Sequence, residues 1–170
     1  MFLTNLKGRY SARGLNESVP KLCIKLSTDS VQNFLLQTIY YEKQINFKNI
    51  RLPINQWIFN EFIKTQNLVT NHIDNFRFDE AARHTYKFVW HSYCDWYLEF
   101  LKPIFSSKNK HEIEEAKNFS SFMMANLLKM LHPFIPFFTE TVWSKNQFNS
   151  FFNSDLITSY WPQYKDQRSY

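Results

Sequence analysis

Residues 76–103 read FRFDEAARHTYKFVWHSYCDWYLEFLKP. Within this run Ala81, Ala82, Tyr86, Val89, Trp90, Tyr93, Trp96, Tyr97 and Leu101 recur at steps of three and four. That spacing places apolar side chains on one face of an α-helix. Asp79 is positioned to cap the helix start, and Glu80 to sit near the positive end of its dipole. Pro103 marks the end, because the residue before a proline disfavours helical geometry. The prediction is a helix of roughly 24 residues, about 36 Å long.

Helices extend outward on both sides. Upstream, Pro53 suits the first turn of a helix running to Asn75, since its missing N–H would lack a partner there. Its inward stripe is Ile54, Trp57, Ile58, Phe62, Val69 and Ile73. Earlier still, Ser27 or Asp29 caps a helix carrying Val31, Phe34, Leu35, Ile39 and Ile45, which ends between Phe47 and Leu52. Downstream, the polar loop Ser106 to Asn109 precedes a helix from His111 to His132. Its apolar positions are Ile113, Ala116, Phe119, Phe122, Met123, Leu127, Met130 and Leu131. Pro133 and Pro136 separate it from a shorter helix, Pro136 to Phe148. The predicted fold class is all-α, a bundle of about five helices. Residues 1–26 form an irregular arm, 27–148 the bundle, and 149–170 an aromatic tail packed along it.

Composition agrees. The 170 residues suit one domain. Hydrophobic residues make up 44% and aromatics 19%, material that a disordered chain lacks. The only two glycines are Gly8 and Gly14, too few for the tight turns of a small sheet protein. A net charge of +5 permits a nucleic acid or acidic partner without requiring one. Cys23 and Cys94 fit no metal spacing and read as reduced thiols of an intracellular protein. No stretch approaches ~20 apolar residues, so no membrane span is expected. Residues 1–14 lack the apolar segment of a secretory signal.

A search for chemistry finds no catalytic, cofactor-binding or metal residues. Two glycines exclude the familiar phosphate-cradling loops, and no H-E-x-x-H or paired C-x-x-C occurs. His84 and His91 are two turns apart, about 10.5 Å, too far to share a metal without other ligands. Asp95 and Glu99 form an ordinary charged face with Lys102. Cys94 has His91 three residues away but nothing to orient it as a base. Arg83, His84, Lys87 and His91 share one polar face. Such a face attracts a phosphate backbone, or is simply solvated.

Two motifs resemble a known family. One is Phe76-Arg77-Phe78-Asp79-Glu80-Ala81-Ala82, continuing through Tyr93-Cys94-Asp95-Trp96-Tyr97-Leu98-Glu99 to Lys102-Pro103. The other is Leu131-His132-Pro133-Phe134-Ile135-Pro136-Phe137-Phe138-Thr139-Glu140-Thr141-Val142-Trp143. Together they are similar to the anticodon-binding helical domain of valyl-tRNA synthetase, a class I aminoacyl-tRNA synthetase. The second motif is shared across class I synthetases for aliphatic amino acids; the first is valyl in character. Asn55-Gln56-Trp57-Ile58 and Trp161-Pro162-Gln163-Tyr164 also fit.

The resemblance implies binding of valine tRNA by a monomeric cytoplasmic enzyme that carries catalytic and editing domains, with ATP and magnesium used by the full-length enzyme. The class I signatures His-Ile-Gly-His and Lys-Met-Ser-Lys-Ser are absent here, so this chain alone is not expected to activate valine. Anticodon bases stack on planar side chains while Lys and Arg hold phosphates. The candidates are Lys43 with Tyr40 and Tyr41, and Arg77, Arg83 and Lys87. The family tends to place an aromatic after the basic residue at 43, where this chain has Gln44. A stacked base is worth about 1–3 kcal/mol, so either Tyr40 or Tyr41 substitutes or anticodon contact is weakened. The alternative reading is a free-standing relative that has lost tRNA specificity and serves as a protein-interaction module.

Overall fold

Pro53 does open a helix. In a computed structural model that describes residues 50–164, α1 spans Pro53–Asp74 with the proline at its first position. Its inward face is Ile58, Phe59, Phe62, Ile63 and Val69, together with Asn55, Gln66 and His72. Trp57, predicted to lie inward, is instead 38% exposed. Asn55 takes the buried place in that turn because it has polar partners there. Its amide donates to Glu115 at 3.0 Å and its carbonyl accepts from the Tyr97 hydroxyl at 3.0 Å. The Glu115 carboxylate also accepts the backbone N–H groups of Arg51 and Leu52, at 3.1 and 2.9 Å. It therefore anchors the approach to α1 beside the positive end of the helix dipole.

The exit from α1 is a Schellman turn. The Phe76 N–H donates to the Ile73 carbonyl at 2.9 Å, and the Arg77 N–H to the His72 carbonyl at 2.8 Å. The residue turning the corner is Phe76, with φ of 57°, in the left-handed region where glycine is usual. The next helix starts at Phe78, with Arg77 as its cap residue and no side-chain capping bond. Asp79 thus lies in the first turn and does not cap it.

One helical run then carries the chain from Phe78 to Phe105 in three parts: α2 (Phe78–Lys87), a π-helical stretch (Phe88–Tyr97) and α3 (Leu98–Phe105). The Leu98 N–H reaches the Tyr93 carbonyl, five residues back. The wider turns move the inward set to Phe88, Val89, Tyr93, Cys94, Tyr97, Leu98 and Leu101. An uninterrupted α-helix would bring Trp96 inward; with the π stretch it is 57% exposed. Pro103 lies inside α3 and does not stop the helix. Placed in the last turn, it removes only one bond. The Ser106 N–H still reaches the Lys102 carbonyl at 3.2 Å.

At the centre lies α4 (Lys110–Leu131), capped by Asn109, whose side chain accepts the His111 N–H at 3.2 Å. Residues 119–128 are buried without a break. A helix buried all round is a core element, and α1, α3 and α5 (Pro136–Lys145) all pack on it. Predicted as one helix to Phe148, the next segment divides in two. α5 ends at Lys145, Gln147 adopts a left-handed φ of 57°, and α6 (Phe148–Phe152) follows. Trp143 is fully buried, stacks on Phe152 at 5.1 Å and donates to the Ser154 carbonyl at 3.1 Å.

After a 3₁₀ turn at Leu156–Thr158, the chain runs back along the bundle. The Trp161 indole N–H donates to Thr70 Oγ1 at 3.0 Å, and the Tyr164 hydroxyl to Asn126 Oδ1 at 3.0 Å. The Tyr164 ring packs edge-on against Phe59 and Phe122. Among the described residues there is no strand, and the all-α prediction is borne out. The predicted helix from Ser27 lies outside the described residues.

Candidate nucleic-acid interface

The corner between α1 and α2 presents aromatic and basic side chains side by side. Phe76 is 81% exposed and Phe78 54% exposed, with their rings edge-to-face at 6.3 Å. Arg77, between them, is exposed and its side chain makes no hydrogen bond to a described residue. Exposed aromatics next to an exposed guanidinium are the components of a single-strand stacking platform. Neither Phe76 nor Phe78 belongs to the three-and-four apolar spacing that begins at Ala81. Their exposure depends on the left-handed corner, which no glycine announces.

Along α2 the predicted basic face divides. Arg83 is exposed but forms an ion pair with Glu80 through its Nε at 3.0 Å and its Nη2. That hydrogen bond, with the Arg83 charge behind it, holds the Glu80 carboxyl below its ordinary pKa. His84 turns inward and stacks on His72 from α1, ring centres 5.2 Å apart and planes 13° from parallel. Burial, followed by the Arg83 charge, lowers the His84 pKa. Lys87 is exposed one turn beyond Arg83. His91 lies in the π stretch, exposed, with Asp95 at 3.4 Å. Arg77, Arg83 and Lys87 are therefore all at the surface, but Glu80 offsets much of the Arg83 charge. Lys43, Tyr40 and Tyr41 lie outside the described residues.

Among the described residues, the deeper groups Cys94, Tyr93 and Tyr97 are closed off from solvent. Cys94 is buried. The Tyr93 and Tyr97 hydroxyls are fully buried, and desolvation raises both far above the ordinary tyrosine pKa. Asp95 and Glu99 are exposed, and Glu99 pairs with Lys102 at 2.7 Å. No described helix is long and apolar enough to cross a membrane.

A model of the anticodon-binding domain of tRNA ligases matches residues 55–169, taking in every described helix except the first two residues of α1. The chain belongs to this anticodon-binding domain family. Similar proteins include valine–tRNA ligases of three bacteria. That of Pelagibacter ubique (strain HTCC1062) is 36% identical over 179 residues, covering 94% of this chain and 20% of that protein. That of Bartonella quintana (strain Toulouse) is 37% identical over 117 residues, covering 68% and 13%. That of Brucella suis biovar 1 (strain 1330) is 44% identical over 97 residues, covering 57% and 11%. The chain thus spans a fifth or less of the length of these relatives. The resemblance to the valyl anticodon-binding domain carried by the two motifs is borne out.

Proposed function

We propose that this domain binds the anticodon arm of valine tRNA for a valine–tRNA ligase. The observation that carries the reading is the family match over residues 55–169, with valine–tRNA ligases among the similar proteins. In this reading Phe76 and Phe78 offer ring faces to unstacked bases, Arg77 and Lys87 hold phosphates, and Arg83 contributes when it releases Glu80. Lys43, Tyr40 and Tyr41 supply further contacts from the preceding segment. The domain works as part of a monomeric cytoplasmic enzyme beside catalytic and editing domains. ATP and magnesium are handled by the catalytic domain.

Fluorescence titration of valine tRNA and of an anticodon-substituted version, each at two salt concentrations, tests the proposal. Three phosphate contacts give a log–log salt slope of about −2 to −3. R77A and K87A should each reduce its magnitude by about 0.7 to 0.9. Equal, weak binding of both tRNAs would remove the anticodon-reading claim.

A further inference from the structure

His72 near the end of α1 and Glu80 and His84 on α2 converge at the base of the Phe76 corner. Each offers one donor atom, and these atoms all lie within 4.8 Å of one another. His84 Nε2 is 3.9 Å from Glu80 Oε2. His72 is only 9% exposed, and its Nδ1 is buried with no hydrogen-bond partner. An unpaired buried imidazole nitrogen is costly to keep, and its presence here calls for a ligand. In the sequence, His84 has only His91 as a helical companion; the fold brings His72 beside it instead.

Arg83 already shows that a cation is welcome at this place. Its Nη2 pairs with Glu80 Oε2 and sits 3.3 Å from His84 Nε2. A guanidinium only donates, so His84 Nε2 must face it with a lone pair. That is the imidazole form that binds metals. The guanidinium therefore stands between a carboxylate and a ligating nitrogen, where a metal ion would stand.

We propose that His72, Glu80 and His84 form a zinc(II) site, with Arg83 as a displaceable plug. Two imidazoles and a carboxylate suit zinc and leave a fourth position for water. Tetrahedral bonds of 2.0–2.1 Å need donor atoms about 3.4 Å apart. The partly exposed side chains of Glu80 and His84 can close that gap by rotation, while His72 stays seated in α1. The ion joins the end of α1 to the start of α2 and holds the corner that presents Phe76, Arg77 and Phe78.

The test is calorimetric titration of zinc chloride into the full chain after chelator stripping. One ion should bind per chain and raise the melting temperature. H84Q and E80Q, both at partly exposed positions, should keep their helical circular dichroism and lose at least tenfold in affinity. R83A should bind several-fold more tightly, because the competing cation is gone. H91Q should match the parent. Cobalt(II) bound in place of zinc should show no thiolate charge-transfer band, which excludes Cys23 and Cys94 as ligands. Parent-like affinity in H84Q, weaker binding in R83A, or a thiolate band would each overturn the site.

Discussion

Phe76 sets stability against binding, and two substitutions separate the terms. Both F76A and F76G delete the ring, which is 81% exposed and touches Phe78 only edge-on at 6.3 Å, so little burial is lost with it. Only F76G also relieves the backbone, whose φ is 57°. The left-handed conformation costs an L-residue about 1–2 kcal/mol. Glycine gives back about 0.4–1 kcal/mol through the freer unfolded chain. F76G should therefore be more stable than F76A by about 0.5–1 kcal/mol. In a chain of this size that corresponds to a melting-temperature difference of roughly 1–4 °C. Both turn hydrogen bonds, from the N–H groups of Phe76 and Arg77, are backbone groups and survive either change. Removal of a stacking ring should weaken tRNA binding by about 1–3 kcal/mol, a factor of about 5 to 150, equally in both variants. Urea unfolding and tRNA titration on the same samples read the two effects. If F76G is less stable than F76A, the strain argument fails; if both variants bind tRNA like the parent, Phe76 is not a stacking platform.

Other outcomes follow from the packing. E115A removes the acceptor shared by Arg51, Leu52 and the buried Asn55 amide, and should cost about 2–3 kcal/mol in urea unfolding, near the upper end for an unsatisfied buried group. Y164F keeps the ring contacts but loses the bond to Asn126, and should cost about 1 kcal/mol by the same measurement. His84 has a pKa lowered from 6.5 by burial, then by Arg83 and His72, against the opposing pull of Glu80. Its folded form thus binds protons less readily than its unfolded form. The stability it contributes is complete above pH 6.5 and declines as pH falls from there through the folded-state value. Thermal melts across this window in chelating buffer should show the slope in the parent and a shallower one in H84Q.

The helical class, Pro53 as a helix start and the α4 core were legible because each rests on local rules. Proline geometry and a three-to-four spacing need no knowledge of distant contacts. Trp96 was misplaced because nothing in a 3.6-residue period announces a π stretch, and the shift only becomes visible once Tyr97 meets Asn55 from α1. Trp57 was misplaced for the converse reason: polar Asn55 was the inward residue, and its partners Glu115 and Tyr97 lie 60 and 42 residues away. Phe76 and Gln147 turn left-handed without glycine, so neither corner carries its usual sequence mark. Of the polar face read as Arg83, His84, Lys87 and His91, His84 turns inward onto His72 while the others are exposed; that inward turn, Glu80's hold on Arg83 and the exposed rings beside Arg77 depend on the folded corner.

The returning tail has a consequence for how this domain is made. Gln66 and Asn126 are buried amides whose carbonyl oxygens are met by the backbone and hydroxyl of Tyr164, and Thr70 receives Trp161. These partners are the last of the described residues to leave a ribosome, 98 residues after Gln66 in the case of Tyr164. A nascent chain holding α1 through α5 can collapse around α4, yet it carries open polar sites between α1 and α4 until Trp161 and Tyr164 arrive. Completion of the bundle thus waits for the last of the described residues, and a stalled or clipped product short of Trp161 would expose the seam between α1 and α4 to proteases.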